Sequence, residues 1–115
     1  MLFFLVEDDE EICEILQFYL MENADYQVTI THSAEQAMSL IHLRRFDLAL
    51  LDIQLPGIDG IDFCRELRKI SNCPVIFLSC INDDETIIRA LSMGGDDYLV
   101  KPFRAPILMA RIEAN

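Results

Sequence analysis

Basic residues are scarce in this chain: nine Lys and Arg stand against twenty Asp and Glu, a formal net charge of −11. Nucleic-acid backbones are held by clusters of Lys and Arg, and the few present here are scattered along the sequence, so direct nucleic-acid binding is not expected. The same acidity keeps an isolated domain soluble and favours a divalent cation. Cys13, Cys64, Cys73 and Cys80 form no C-x-x-C pair, and no histidine lies at ligand spacing from any of them, which argues against a zinc site. Reduced and mostly buried thiols are the expectation. No apolar stretch approaches membrane-spanning length, and the run Met1 to Val6 is too short, and lacks the basic start, for a secretory leader. The expected location is the cytoplasm, with no membrane partner. Linkers, solenoid repeats and low-complexity segments are missing as well.

What remains is a chain of 115 residues that is 52% apolar, enough for one domain spanning 1–115 that buries about two-thirds of its unfolded surface without disulfides. Leu2 to Val6 reads as a buried strand running into Glu7-Asp8-Asp9-Glu10-Glu11. Acids at a helix start are ordinary, because the N-terminal amides favour negative charge, and Asp8 or Asp9 is the candidate cap. Ile12, Ile15, Leu16, Tyr19 and Leu20 recur at helical spacing and predict one apolar stripe. Tyr26, Val28 and Ile30 alternate like a strand nearer an edge. Ser33 with Gln36 is a capping-box pattern, followed by Ala34, Ala37, Met38 and Ile41 as a second helical face.

Asp47 to Leu51 lacks alternation, as expected of a central strand covered on both faces. Asp52 closes it, and Pro56-Gly57 and Asp59-Gly60 force a turn. A third helix carries Phe63, Cys64, Leu67 and Ile70, with Arg65, Arg68 and Lys69 outward. Pro74 to Leu78 is a fourth strand. Ile87, Ile88 and Leu91 mark a fourth helix, stopped at Gly94-Gly95. Tyr98 to Val100 is a fifth strand. Pro106 opens a fifth helix through Leu108, Met109 and Ile112. Strand and helix thus alternate about five times, and crossovers of this size return each strand parallel to the last. The expected fold is α/β, a doubly wound parallel sheet, in which ligands bind outside the carboxyl ends of the strands.

Glu7 and Asp8 follow the first strand, Asp52 the third, Ser79 the fourth and Lys101 the fifth, so all are predicted at one rim. Converging carboxylates repel and raise one another's pKa, and a cation together with the Lys101 ammonium relieves this. Oxygen-only ligands point to magnesium or manganese, and magnesium shares its carboxylates with phosphate oxygens. Asp52 is then the nucleophile of phosphoryl chemistry. Taken singly, each residue has an ordinary reading: Asp52 and Ser79 as turn formers, Tyr98 as core, Lys101 as a surface charge, Asp59 as a helix cap, and Asp96-Asp97 as solvation of a strand start.

Four segments together carry a resemblance across the whole chain: Val6 to Asp9, Leu51 to Gly60, Pro74 to Ser79, and Gly94 to Phe103. The chain resembles the receiver domain of a two-component response regulator, most closely of the OmpR/PhoB winged-helix subfamily. The resemblance implies a flavodoxin-like sheet of order 2-1-3-4-5, with Asp52 as acceptor of a phosphoryl group from a sensor histidine kinase. It assigns Mg2+ to Glu7, Asp8, Asp52 and the backbone carbonyl of Gln54, and Lys101 to the incoming phosphoryl group. Ser79 becomes the hydroxyl that swings toward that group, Tyr98 the aromatic that moves behind it, and Lys101-Pro102 a cis bond. It further implies transcription control through a DNA-binding output domain beyond Asn115, and a protein that is no enzyme except toward its own phosphorylation and dephosphorylation.

Some positions depart from family usage. Cys80 replaces a small residue, which narrows access, while Gln54 and Ile81 occupy positions that influence hydrolysis. Family dimers use the face of the fourth helix, fifth strand and fifth helix; Asp97 and Arg111 match one of its ion pairs, while Ile87 and Ile107 replace another with apolar side chains. The rival readings are a stand-alone receiver acting through protein contacts, an Asp-nucleophile magnesium phosphatase, which generally has a second Asp where Gln54 stands, and a flavin-binding or other phosphorylation-independent module, which lacks its Ser, Thr and Gly loop here.

Overall fold

Five short apolar segments form the parallel sheet because each is followed by a helix that returns the chain to the same starting edge. In the computed structural model, which describes residues 1–115, the strands are β1 (Leu2–Val6), β2 (Gln27–Thr31), β3 (Leu48–Leu51), β4 (Val75–Ser79) and β5 (Asp97–Val100). They are all parallel and lie in the order β2-β1-β3-β4-β5, as expected. The helices are α1 (Glu10–Leu20), α2 (Ala34–Leu40), α3 (Gly60–Arg68), α4 (Asp84–Ser92) and α5 (Ala105–Ala114).

Strand periodicity divides the interior in two. Phe4, Val6, Ala49, Leu51, Val75 and Phe77 point to one face, where α2, α3 and α4 supply Ala34, Ala37, Phe63, Cys64, Leu67 and Ala90. Phe3, Leu5, Leu48, Leu50, Ile76 and Leu78 point to the other, against Cys13, Leu16 and Leu20 of α1 and Leu108 and Ile112 of α5. All four residues of β3 are buried, which is why its sequence does not alternate. Gly95 sits so close to Phe77 that a Cβ there would lie 2.6 Å from the ring.

Several helix faces differ from their sequence patterns. On α1 the buried stripe is Cys13, Leu16 and Leu20, while Ile15 and Tyr19 are exposed; α1 shares its face of the sheet with α5 and buries only one row of side chains. On α4 only Ala90 is buried, with Ile88 and Leu91 facing out, because a small residue lets that helix approach the sheet. α3 ends at Arg68, so Ile70 falls beyond it and is exposed. Arg68 itself turns inward rather than outward: its guanidinium donates to the carbonyls of Ser71, Cys73 and Gly94 and to Asp96. Asp96 also accepts from the Val75 N–H, so it ties two strand starts together. Ser33 caps α2 as its sequence pattern implied, and only the reciprocal half of the capping box is displaced. Ser33 Oγ accepts from Gln36 N at 3.2 Å, but the Gln36 side chain accepts from His32 N, not Ser33 N. All four cysteines are free, Cys13 and Cys64 buried, Cys73 half-buried and Cys80 exposed.

Phe63 is fully buried, its ring edge-on to Phe4 with centroids 6.2 Å apart. Phe63→Ala is expected to cost about 3–5 kcal/mol in a urea titration, through lost burial and the cavity left behind.

Candidate functional site

The ladders end at one level, and that level carries the chemistry. Val6 is in register with Thr31 and Leu51, and Ser79 with Val100. Beyond them the hydrogen bonding continues one step: Glu7 N to Thr31 O, Asp52 N to Val6 O, and Lys101 N to Ser79 O, at 3.0, 3.0 and 2.8 Å. Glu7, Asp52 and Lys101 are therefore fixed by backbone bonds before their side chains meet.

Of the five acids after β1, Asp9 caps α1, its carboxylate accepting from Glu11 N and Ile12 N, and Glu10 and Glu11 fill the first turn. Glu7 and Asp8 are left facing Asp52. One carboxylate oxygen from each of these three lies within 4.8 Å of the others. Glu7 is 1% exposed and Asp52 6%, while Asp8 is open to solvent. Lys101, whose side chain is 10% exposed, donates to Glu7 Oε1 and, at 3.1 Å, to Asp52 Oδ2. The other Asp52 oxygen accepts from Gln54 N at 3.1 Å.

Burial is the largest influence on Glu7, and with the neighbouring Asp52 it raises the Glu7 carboxyl to about 8 against the opposing pull of Lys101. Burial alone would lower the Lys101 pKa. Its hydrogen bond to Glu7 and the charge of Asp52 outweigh that, so the ammonium is held firmly protonated.

The loop after Asp52 is pressed against it. Gly60 N donates to Ile53 O at 2.8 Å, and a Cβ on Gly60 would lie 1.9 Å from the Asp52 carbonyl oxygen, so no other residue fits. Asp59 caps α3 by accepting from Asp62 N at 2.8 Å. No N–H of the chain donates to the Gln54 carbonyl. Two buried carboxylates and one exposed carboxylate make an oxygen-only donor set, which fits a hard cation such as magnesium.

Ser79 is fully buried at the last position of β4, one residue further along the strand than its sequence pattern implied. Its Oγ accepts from Ile81 N at 3.2 Å, and Tyr98 Oη donates to Ile81 O at 2.7 Å. The main chain of Ile81, through its N–H on one side and its carbonyl on the other, therefore joins the two residues. Burial raises the Tyr98 pKa. Lys101-Pro102 is cis. Cys80 points to solvent, and Ile81 is half-buried. On the face of α4, β5 and α5, Arg111 Nη1 pairs with Asp97 within the chain at 3.0 Å, Ile107 is 40% exposed and Ile87 half-buried. His32, whose Nδ1 lies 3.0 Å from the Glu7 carbonyl, also borders the rim, with no signal in the sequence to mark it.

Residues 3–113 match the family model described as the response regulator receiver domain. The chain is a member of that family. Transcriptional regulatory protein AfsQ1 of Streptomyces coelicolor is 40% identical over 110 residues, covering 96% of this chain and 48% of that protein. Nisin biosynthesis regulatory protein NisR of Lactococcus lactis is 37% identical over 111 residues, with the same two coverages. The receiver domain thus spans about half the length of the curated relatives it matches. Among solved structures, the BeF3-activated N-terminal receiver domain of Klebsiella pneumoniae RstA superposes with a TM-score of 0.92 at 34% identity, covering 99% of this chain and 97% of that one. A two-component response regulator from Clostridium difficile gives a TM-score of 0.95 at 32% identity, covering 99% and 93%.

Because the Glu7 pKa is raised from 4.5 in the open chain to about 8 in the fold, its protonated form contributes stability that is complete below 4.5 and lost as pH rises through about 8. In EDTA, this receiver domain is expected to lose urea stability across that window. Glu7→Gln should flatten the slope, and equal slopes in the two proteins would refute the assignment.

Proposed function

We propose that this receiver domain is a phosphorylation-operated switch: Asp52 takes a phosphoryl group from the phosphohistidine of a sensor kinase. The observation that carries this reading is the setting of the Asp52 carboxylate, one oxygen held by the Gln54 N–H, the other by Lys101, with Glu7 and Asp8 alongside. An Asp52 oxygen attacks phosphorus, an O–P bond forms as the N–P bond to the donor imidazole breaks, and the electron pair leaves with the imidazole. Lys101 stays charged throughout and pairs with the phosphoryl oxygens. The work is positioning and electrostatic stabilisation more than covalent chemistry. Glu7, Asp8, Asp52 and the Gln54 carbonyl would hold Mg2+, with Mn2+ as a substitute, which supplies positive charge to the phosphoryl group. The domain acts on itself alone. A magnesium phosphatase is disfavoured because Gln54 stands where such enzymes generally carry a second Asp.

Ser79 reaches the phosphoryl group by giving up the bond its Oγ accepts from Ile81 N and donating its hydroxyl proton to a phosphoryl oxygen, which loosens Ile81 and with it Tyr98. The change is passed to the face of α4, β5 and α5, where two copies pair. Ile87 and Ile107 bury apolar area there at about 25 cal/mol per Å², so the contact resists salt better than one built on ion pairs. Asp97 and Arg111 complete that face. The lengths and names of the relatives support a cytoplasmic transcription regulator that reaches DNA through a C-terminal output domain. A stand-alone receiver is the remaining alternative.

With a small phosphodonor and magnesium, intact mass should show one hydroxylamine-sensitive phosphoryl group, absent in Asp52→Asn. Unchanged incorporation in that variant would falsify the acceptor assignment. Sedimentation of the phosphorylated chain should give a dimer that Ile87→Lys weakens and added salt barely affects. A dimer indifferent to Ile87→Lys counts against this interface.

A further inference from the structure

At the opposite end of the sheet from the acid rim, the loop 41–47 before β3 and the loop 69–73 before β4 enclose a groove of about 1020 Å³. Four of the nine cations of a chain with net charge −11 line it: Arg44, Arg45, Arg68 and Lys69, with His42 beside them. Folding therefore gathers a basic cluster that looks scattered in the sequence. Asp47 is the one carboxylate in the lining, and its Oδ2 is taken up by the Leu2 N–H at 2.7 Å.

Two features mark Arg44 and Arg45 as available, whereas Arg68 and Lys69 already pair with Asp96 and Glu66. Six of the nine Lys and Arg side chains pair with a carboxylate, but Arg44 and Arg45 do not. Arg44 reaches only Thr29 Oγ1, at 3.5 Å. The backbone N–H groups of Arg44, Arg45, Phe46 and Asn72, drawn from both loops, donate to no atom of the chain. Unspent amides beside unpaired guanidinium groups are the donor arrangement that binds anions. Arg68 gives the groove a fixed wall, since its Nη1 holds the carbonyls of Ser71 and Cys73 at 3.3 and 2.7 Å. Phe46 stacks on Phe4 at 4.3 Å beneath it.

The overall negative charge does not cancel this. Charges are screened within about 8 Å at physiological salt, and the molecule measures 35 × 31 × 26 Å, so the acid rim contributes little here and the nearby Glu66 and Asp96 offset Lys69 and Arg68, leaving Arg44 and Arg45 as the uncompensated charge. The volume is near the upper end of small-ligand sites, at roughly 300–1,000 Å³. Leu43, 74% exposed, and Ile70, 47% exposed, stand on its rim as apolar surface for a flat ring.

We propose that this groove binds a nucleoside polyphosphate, its phosphate chain on Arg44, Arg45, Lys69 and the free amides, its base against Leu43 and Ile70. The test is a titration of the 15N-labelled chain with adenosine triphosphate in EDTA, which keeps divalent ions from bridging the ligand to the acid rim. Saturable amide shifts are expected at Arg44, Arg45, Phe46 and Asn72. The double variant Arg44→Ala/Arg45→Ala, in exposed positions, should weaken binding by about tenfold or more, Lys69→Ala by less, and Asp52→Asn not at all. Tripolyphosphate should bind the same amides more weakly, and adenosine alone should fail. Shifts centred on Asp8 and Asp52, binding unchanged in the double variant, or the same amides answering only to duplex DNA or an acidic peptide would each overturn the proposal.

Discussion

A single ammonium, that of Lys101, stands between two carboxylates that the fold has almost wholly removed from water. Leaving Glu7 and Asp52 buried side by side without it would place like charges together in a poorly solvated rim, at a cost that grows as the local dielectric falls. The ammonium does not fully compensate, since Glu7 remains well above the usual carboxylate range. That residual strain has a structural origin. Three parallel strands end together, each followed by a polar residue that its last backbone bond holds in place, so the acids cannot move apart without fraying the ladder. A site that is electrostatically incomplete when empty is well suited to gain from a cation or a phosphoryl group.

The architecture was largely legible from the residues. β3 announced itself as Leu48 to Leu51 with no alternation, and Asp52, Ser79 and Lys101 were placed at one rim by the rule that parallel strands present their carboxyl ends together. Helix faces were less legible. Ile15, Tyr19, Ile88 and Leu91 obey helical spacing and yet face solvent, because periodicity reports an apolar side without saying how wide a stripe the neighbouring sheet can cover. Arg68 was read as outward for a related reason. Its long side chain folds back on carbonyls of loops distant in sequence, and nothing in a local pattern records such partners.

The two faces of the sheet are packed differently, and this bears on where change can occur. α1 and α5 press a continuous row of leucines and isoleucines against β1, β3 and β4, whereas α4 contributes a single buried alanine. Few buried contacts mean a low local cost of displacement. The loosely held element is also the one adjoining Ser79, Ile81 and Tyr98, so the part of the molecule nearest the buried hydroxyl is the part least anchored by the core.

Ser79 and Tyr98 are both bound to Ile81, one through its N–H and the other through its carbonyl. The joint is therefore made of main chain. Replacing the Ile81 side chain changes its packing on the core but leaves both bonds possible, since every residue except proline keeps the same two groups; Ser79→Ala or Tyr98→Phe removes the other half of each bond. Only chemistry that edits the backbone, an ester in place of the amide, removes the Ile81 half of the bond to Ser79. Two main-chain groups that no side chain at Ile81 reports can thus be among the most connected in the domain.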